Sequence, residues 1–119
     1  GVPTWYDGVL QSDWEDYFDD FKQIDFTGKT VAIFGLGDQI GYDEYFVDGI
    51  GILAEVVLEN GGEIIGNWPR KNYSFAVSKA LVNEDYFYGL PIDQDNEEEL
   101  TLGRLEKWTE QLKNEILHD

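Results

Sequence analysis

Apolar positions along this chain switch between two periods, and the alternation predicts an α/β fold with parallel strands. Trp14, Tyr17, Phe18 and Phe21 recur at helical spacing, with Asp13, Asp16, Asp19 and Asp20 between them. Ser12 and Glu15 form the two ends of a capping box, so this helix is expected to open at Ser12 and close near Lys22. Thr30-Val31-Ala32-Ile33-Phe34 is a continuous apolar run rich in β-branched residues, the pattern of a strand buried on both faces. A second helix is expected over 43–59, with Phe46, Ile50, Leu53, Ala54, Val57 and Leu58 turned inward. Gly49 and Gly51 each cost about 1 kcal/mol against alanine inside a helix, and close packing against a sheet is their expected role. Asn60-Gly61-Gly62 stops the helix, and Glu63 to Trp68 reads as the next strand, ended by Pro69. Thr101 is expected to cap a last helix with Leu102, Leu105, Trp108, Leu112 and Ile116 as its stripe. Residues 69–100 intervene, with a short strand expected between Tyr86 and Ile92. A connection of that length is either an ordered insertion or a functional loop.

Two glycine-containing stretches stand out from this frame and read as loops. Gly1-Val2-Pro3-Thr4-Trp5-Tyr6-Asp7-Gly8 opens the chain, and Gly35-Leu36-Gly37-Asp38-Gln39-Ile40-Gly41-Tyr42 follows the clearest strand. In open α/β sheets ligands bind at the carboxyl ends of the strands, where the second segment lies. Trp5 and Tyr42 either cap the core at that end or form the two walls of a clamp for a planar ring, with glycines allowing close approach. No strand precedes the first segment, so the chain is expected to be the later part of a larger fold.

Charge narrows the partners. Twenty-five acidic side chains against eight basic ones give a net charge of −17, which repels nucleic-acid phosphates and anionic lipid. That acidity either serves solubility or steers a basic protein partner, with an on-rate that falls as salt rises. Zero cysteines excludes disulfides, thiolate nucleophiles and Cys-ligated metals. No apolar stretch reaches the length of a membrane span, and cytoplasm is the default location.

Several motifs fail on their spacing. Gly35, Gly37 and Gly41 give GxGxxxG rather than a dinucleotide fingerprint, and Gly28-Lys29-Thr30 leads into a strand where a P-loop needs a helix. Asp93 to Glu99 is acidic enough for a calcium loop, but Glu98 and Arg104 occupy the positions that require Gly and Glu. A solvated charge run is the expected role of that stretch. Asn72-Tyr73-Ser74 is a sequon by composition only, and His118 is the sole histidine, so no His-based triad or metal site is expected.

At the two glycine segments the chain resembles flavodoxins of the long-chain type. The resemblance is carried in order by Gly1-x-Pro3-Thr4-Trp5, Gln11-x-x-Trp14, Asp25-Phe26-x-Gly28-Lys29, Phe34-Gly35-x-Gly37-Asp38-Gln39-x-x-Tyr42 and Leu90-x-x-Asp93-x-Asp95-Asn96. It implies a flavodoxin-like open parallel sheet with flanking helices, and one domain over residues 1–119 carrying the long-chain insertion at about 69–100. The implied activity is FMN-dependent electron transfer rather than catalysis. Trp5 resembles the ring stacked on one flavin face and Tyr42 the ring on the other. The peptide between Tyr6 and Asp7 resembles the one that turns its carbonyl to reduced flavin. Pro3, Thr4 and Gly8 belong to the same loop, the backbone of Leu36, Gly37 and Asp38 resembles the contact to the pyrimidine end, and Asp95 falls near the ribityl chain. The implied partners are basic redox proteins such as a ferredoxin/flavodoxin–NADP reductase.

The family's first strand, its hydroxyl-rich phosphate loop and its first helix have no counterpart here. A phosphate site uses several charge-assisted hydrogen bonds, so its loss is expected to weaken FMN binding by a factor of about 10² to 10⁴. Self-association, or complementation by a missing N-terminal segment, is expected to cover the open strand edge. The alternative function is a flavin-free or weakly flavin-binding module that keeps the topology.

Overall fold

Residues 30–36 form the central extended run, and its side chains alternate between two separate cores. A computed structural model of the chain describes residues 1–5, 9–10 and 12–117, with the backbone alone at residues 5, 9, 10 and 12. Val31 and Ile33 face a core that includes Val2, Ile50, Leu53 and Ala54. Ala32 and Leu36 face the other way, against Leu90, Ile92 and Trp108. The first core is covered by α1 (Ser12–Phe21) and α2 (Asp48–Glu59), the second by α3 (Gln94–Leu117). Phe46 and Ile50 are fully buried, and burial of such a side chain contributes roughly 1.5–3 kcal/mol.

The strands are β1 (Val2–Trp5), β2 (Val9–Leu10), β3 (Thr30–Ala32), β4 (Phe34–Leu36), β5 (Glu63–Ile65), β6 (Trp68–Pro69), β7 (Tyr86–Phe87) and β8 (Leu90–Ile92). The main sheet runs in the order β2-β1-β4-β8. β1 and β4 are parallel, with Val2 opposite Gly35 and Pro3 opposite Leu36. β4 and β8 are parallel, with Phe34 opposite Leu90 and Leu36 opposite Ile92. β2 folds back antiparallel on β1. β3 pairs instead with β5, from Thr30 opposite Glu63 to Ala32 opposite Ile65. The run therefore changes partners at Ile33, whose carbonyl accepts the Leu90 N–H at 3.0 Å. Residues 66–89, between those two partners, hold the antiparallel pair β6 and β7.

Several expectations need correction. The opening stretch, expected as a loop, is a strand over Val2–Trp5 because its backbone completes the pairing of β4. The central run is incompletely buried on its α3 face: Ala32 and Leu36 pack there, but Phe34 is 39% exposed and meets Trp108 edge-on at 6.2 Å. The second helix begins at Asp48 rather than Asp43, because Val47 adopts a left-handed backbone (φ 47°, ψ 31°) that cannot continue a helix. Leu58 is exposed, lying about a quarter-turn from the centre of the buried stripe. The strand expected from Glu63 to Trp68 breaks at Gly66. That residue has φ +83°, and a side chain there would press on Trp108 and Leu112 at 2.8 Å. The strand expected from Tyr86 to Ile92 divides into β7 and β8.

The last helix starts at Gln94, seven residues before Thr101, with Asp93 as its cap. Thr101 sits inside it, its hydroxyl buried and without a hydrogen-bond partner among the described residues. The stretch is two helical pieces joined at a kink, where Glu97 leaves helical geometry (φ −137°, ψ 41°), and Leu102 and Ile116 are exposed. Gly49 does permit close packing against the sheet, whereas Gly51 packs against the β6–β8 connection. A methyl at Gly49 would lie 2.8 Å from the Thr4 hydroxyl, and one at Gly51 would lie 2.1 Å from the Lys79 carbonyl oxygen.

Candidate functional site

β1, β4 and β8 are adjacent and parallel, so their carboxyl ends share one edge of the sheet. At this edge lie the end of β1 at Trp5, residues 37–42 after β4, and the Asp93–Asn96 turn into α3. The register fixes their order, with Pro3 opposite Leu36 and Leu36 opposite Ile92. Three stretches that are remote in sequence are thus brought together by strand pairing alone, at the place where open α/β sheets take ligands.

The middle segment is held by hydrogen bonds rather than by a ladder. One carboxylate oxygen of Asp38 accepts the N–H of Ile40 at 3.0 Å, the N–H of Gly41 at 2.7 Å and the Asn96 amide at 2.7 Å. Burial opposes ionisation of Asp38, yet these three bonds outweigh it and hold its pKa below the ordinary value. The Asp38 carbonyl accepts the Tyr42 N–H at 3.0 Å, closing the turn. Buried Asp93 accepts the Gln39 N–H at 3.0 Å, and the Asn96 amide bonds the same carboxylate at 2.8 Å. The Gln39 side-chain amide donates to Glu97, which also takes the Arg104 guanidinium at 3.1 Å. Arg104 lies over the Tyr73 ring at 4.3 Å, and the Tyr73 hydroxyl donates to the Pro91 carbonyl at 2.7 Å.

The residues singled out from sequence fall as follows. Pro3 is half-buried in β1, and Thr4 is buried with its hydroxyl accepting the Gly49 N–H at 2.7 Å, so that side chain ties β1 to α2. Trp5 ends β1, and Tyr6, Asp7 and Gly8 lie outside the described residues. Leu36 is half-buried at the end of β4. Gly37 is buried, and its N–H donates to the Ile92 carbonyl at 3.0 Å, so the sheet already engages it. Asp38 and Tyr42 are half-buried, and Asp95 is exposed in the first turn of α3. Gln39, Asp93, Asn96 and Arg104 emerge as the polar residues that organise this edge. The first three were visible in the matched motifs, but their partners lie too far away in sequence to be read from spacing.

The first turns of the helices carry Asp13 and Glu15 in α1, Asp48 in α2, and Asp95 and Glu97 in α3. A phosphate at any of these N-termini would meet carboxylates already satisfying the helix dipole. The described helix N-termini therefore do not suit a phosphate. Among the described residues no group of acids or His could hold a metal ion, and no helix is long and apolar enough to cross a membrane. A cavity of about 450 Å³ between β6 and α3 is lined by Trp68, Tyr73, Leu100 and Arg104, with none of the sequence-selected residues in its wall.

The family model described as flavodoxin matches residues 1–108. The chain belongs to the flavodoxin family. Flavodoxin 1 of Escherichia coli (strain K12) is 47% identical over 116 residues, covering 98% of this chain and 66% of its own length. The chain thus spans just under two thirds of that relative. The flavodoxin of Haemophilus influenzae is also 47% identical, with 67% of its length covered. The crystal structure of Fusobacterium nucleatum flavodoxin bound to flavin mononucleotide superposes with a TM-score of 0.90. It is 32% identical, with 96% of this chain and 68% of that one covered. Together these place the sheet and its helices in the flavodoxin-like α/β fold.

Proposed function

We propose that this chain is the ring-binding part of an FMN-dependent electron carrier. The observation that carries the reading is the convergence of residues 3–5, 36–42 and 93–96 at one carboxyl edge, supported by membership of the flavodoxin family. Trp5 and Tyr42 stack on opposite faces of the flavin. Pro3, Thr4 and the Tyr6-Asp7-Gly8 turn lie along its reactive edge, Leu36, Gly37 and Asp38 along the pyrimidine margin, and Asp95 towards the ribityl chain. Bound FMN would supply the electron-accepting ring system; the protein orients it and excludes water from its faces. The net charge of −17 opposes added negative charge on the ring and so lowers its potential.

The chain carries electrons between other proteins and transforms no substrate of its own. Its partners are basic redox proteins of the ferredoxin/flavodoxin–NADP reductase kind, attracted with a rate that falls as salt rises. Residues 69–100 correspond to the insertion of long-chain members, and cytoplasm is the working compartment.

A titration with FMN and with riboflavin, followed by quenching of flavin fluorescence, tests this. Both should bind with dissociation constants within about threefold of each other, because the phosphate meets acidic helix ends and gains nothing. Those same acidic ends favour the second reading, a flavin-free module. Failure of either flavin to quench at high protein concentration would establish it.

A further inference from the structure

The segment between β4 and α2 is closed by turn bonds of its own, through Asp38, Tyr42 and Tyr45, and a stretch of the β6–β8 connection ties it to the rest of the fold. The Ser74 N–H donates to the Gln39 side-chain carbonyl at 2.6 Å. The Ala76 and Val77 N–H groups both donate to the Asp43 carbonyl, at 2.9 and 3.0 Å. The Ser78 hydroxyl donates to the Phe46 carbonyl, and the Lys79 N–H to the Asp48 carboxylate at 2.7 Å. Each bond runs the same way, with donors from residues 74–79 and acceptors from residues 39–48. Aromatic packing follows the same path. Phe46 meets Tyr73 at 5.8 Å, Phe75 at 5.2 Å and Phe87 at 6.1 Å.

Gln39 is where this set crosses the one from α3. It is 5% exposed, takes Ser74 on its carbonyl oxygen, gives its amide to Glu97 and gives its backbone N–H to Asp93. Tyr42 stands three residues further on. We propose that residues 74–79 together with Gln39 are a positioning scaffold, built to hold the Tyr42 loop in its ring-stacking position before flavin arrives. This rests on the flavin-binding reading above. Gln39 is accordingly a positioning residue that acts through Tyr42. A loop held in its bound conformation gives up little freedom on binding, which is the general source of affinity in preorganised sites.

The test compares the parent with Gln39→Ala and with Ser78→Ala, using riboflavin as the probe. Riboflavin affinity should fall about tenfold, the order expected when one or two loop residues must be ordered on binding, while the far-ultraviolet circular dichroism stays that of the parent. Amide exchange at Ile40, Gly41 and Tyr42 should quicken by a similar factor in the flavin-free protein. On a Tyr42→Ala background, Gln39→Ala should weaken riboflavin by no more than about a further twofold, because the two act through one contact. Parent-like affinity with unchanged exchange, or full additivity with Tyr42→Ala, would overturn the proposal. Should the parent bind no riboflavin, the flavin reading fails and the exchange rates alone decide whether the scaffold holds the loop. Should Gln39→Ala not fold, Ser78→Ala is judged by the same affinity and exchange outcomes, including on the Tyr42→Ala background.

Discussion

Gly51→Ala puts a methyl group where α2 touches the backbone of the β6–β8 connection. Inside a helix this change ordinarily stabilises by about 1 kcal/mol. Here the new carbon would stand 2.1 Å from the Lys79 carbonyl oxygen, 2.5 Å from its carbon and 3.0 Å from the Ala80 nitrogen. These are backbone atoms, so no rotamer change relieves the clash, and residues 79–80 must retreat by about 1 Å or more. Retreat strains the Lys79 bond to buried Asp48 and the Tyr88 bond to the Ala80 carbonyl, both 2.7 Å long. Leaving such groups unsatisfied costs about 1–3 kcal/mol each, so the net loss should be about 2–4 kcal/mol. Gly103→Ala is the matched control: it lies in α3 with nothing within 4 Å of the added carbon, and should gain up to about 1 kcal/mol. Urea unfolding followed by circular dichroism reads both. The Gly51→Ala midpoint should drop by roughly 1–3 M with the slope unchanged, while that of Gly103→Ala rises. A Gly51→Ala protein as stable as the parent would refute the claim that this contact is tight and rigid.

Two further outcomes follow from buried ionisable groups. Burial raises the Asp48 pKa above its ordinary 3.8, against the opposing bond from Lys79, so the folded state binds its proton more tightly than the unfolded chain. Its contribution to stability therefore falls as pH rises from the ordinary value through the raised one. Asp48→Asn, which keeps an acceptor for Lys79, should gain on the parent progressively over that window in urea melts at stepped pH. A constant gap would contradict this. Burial likewise pushes the Tyr73 phenol well above its usual value, partly countered by Arg104. A phenol should resist ionisation in ultraviolet titration as pH passes 10, and Tyr73→Phe should remove that signal. The same variant should lose about 1–3 kcal/mol by stripping the Pro91 carbonyl of its donor.

Periodicity made α1 legible to within a residue, because Trp14, Phe18 and Phe21 pack on one face and Ser12 opens it as expected. It also located the runs that hold β3, β4, β5 and β8, but not β1, whose Val2-Pro3-Thr4-Trp5 reads as part of a loop. What escaped it was decided by tertiary contact. Val47 ends in a left-handed conformation because residues 76–79 take over bonds that a helix from Asp43 would have made internally. Asp93, read as part of a solvated acidic run, is buried because it caps α3 and holds Gln39 across 54 positions of sequence. Of the candidate site, the loops and their order along the chain were visible beforehand. Their meeting at one edge needed the register of β1, β4 and β8. The inward turn of the Thr4 hydroxyl had no sequence signal at all, since it depends on how closely Gly49 lets α2 approach.

The central claim concerns where a flavin ring sits, and amide chemical shifts answer it directly. Riboflavin titrated into the isotope-labelled protein should move the amides of residues 4–8, 36–42 and 93–96 together, along a single binding curve. Shifts confined instead to the cavity walled by Trp68, Tyr73, Leu100 and Arg104, with the strand-end segments unmoved, would contradict the account.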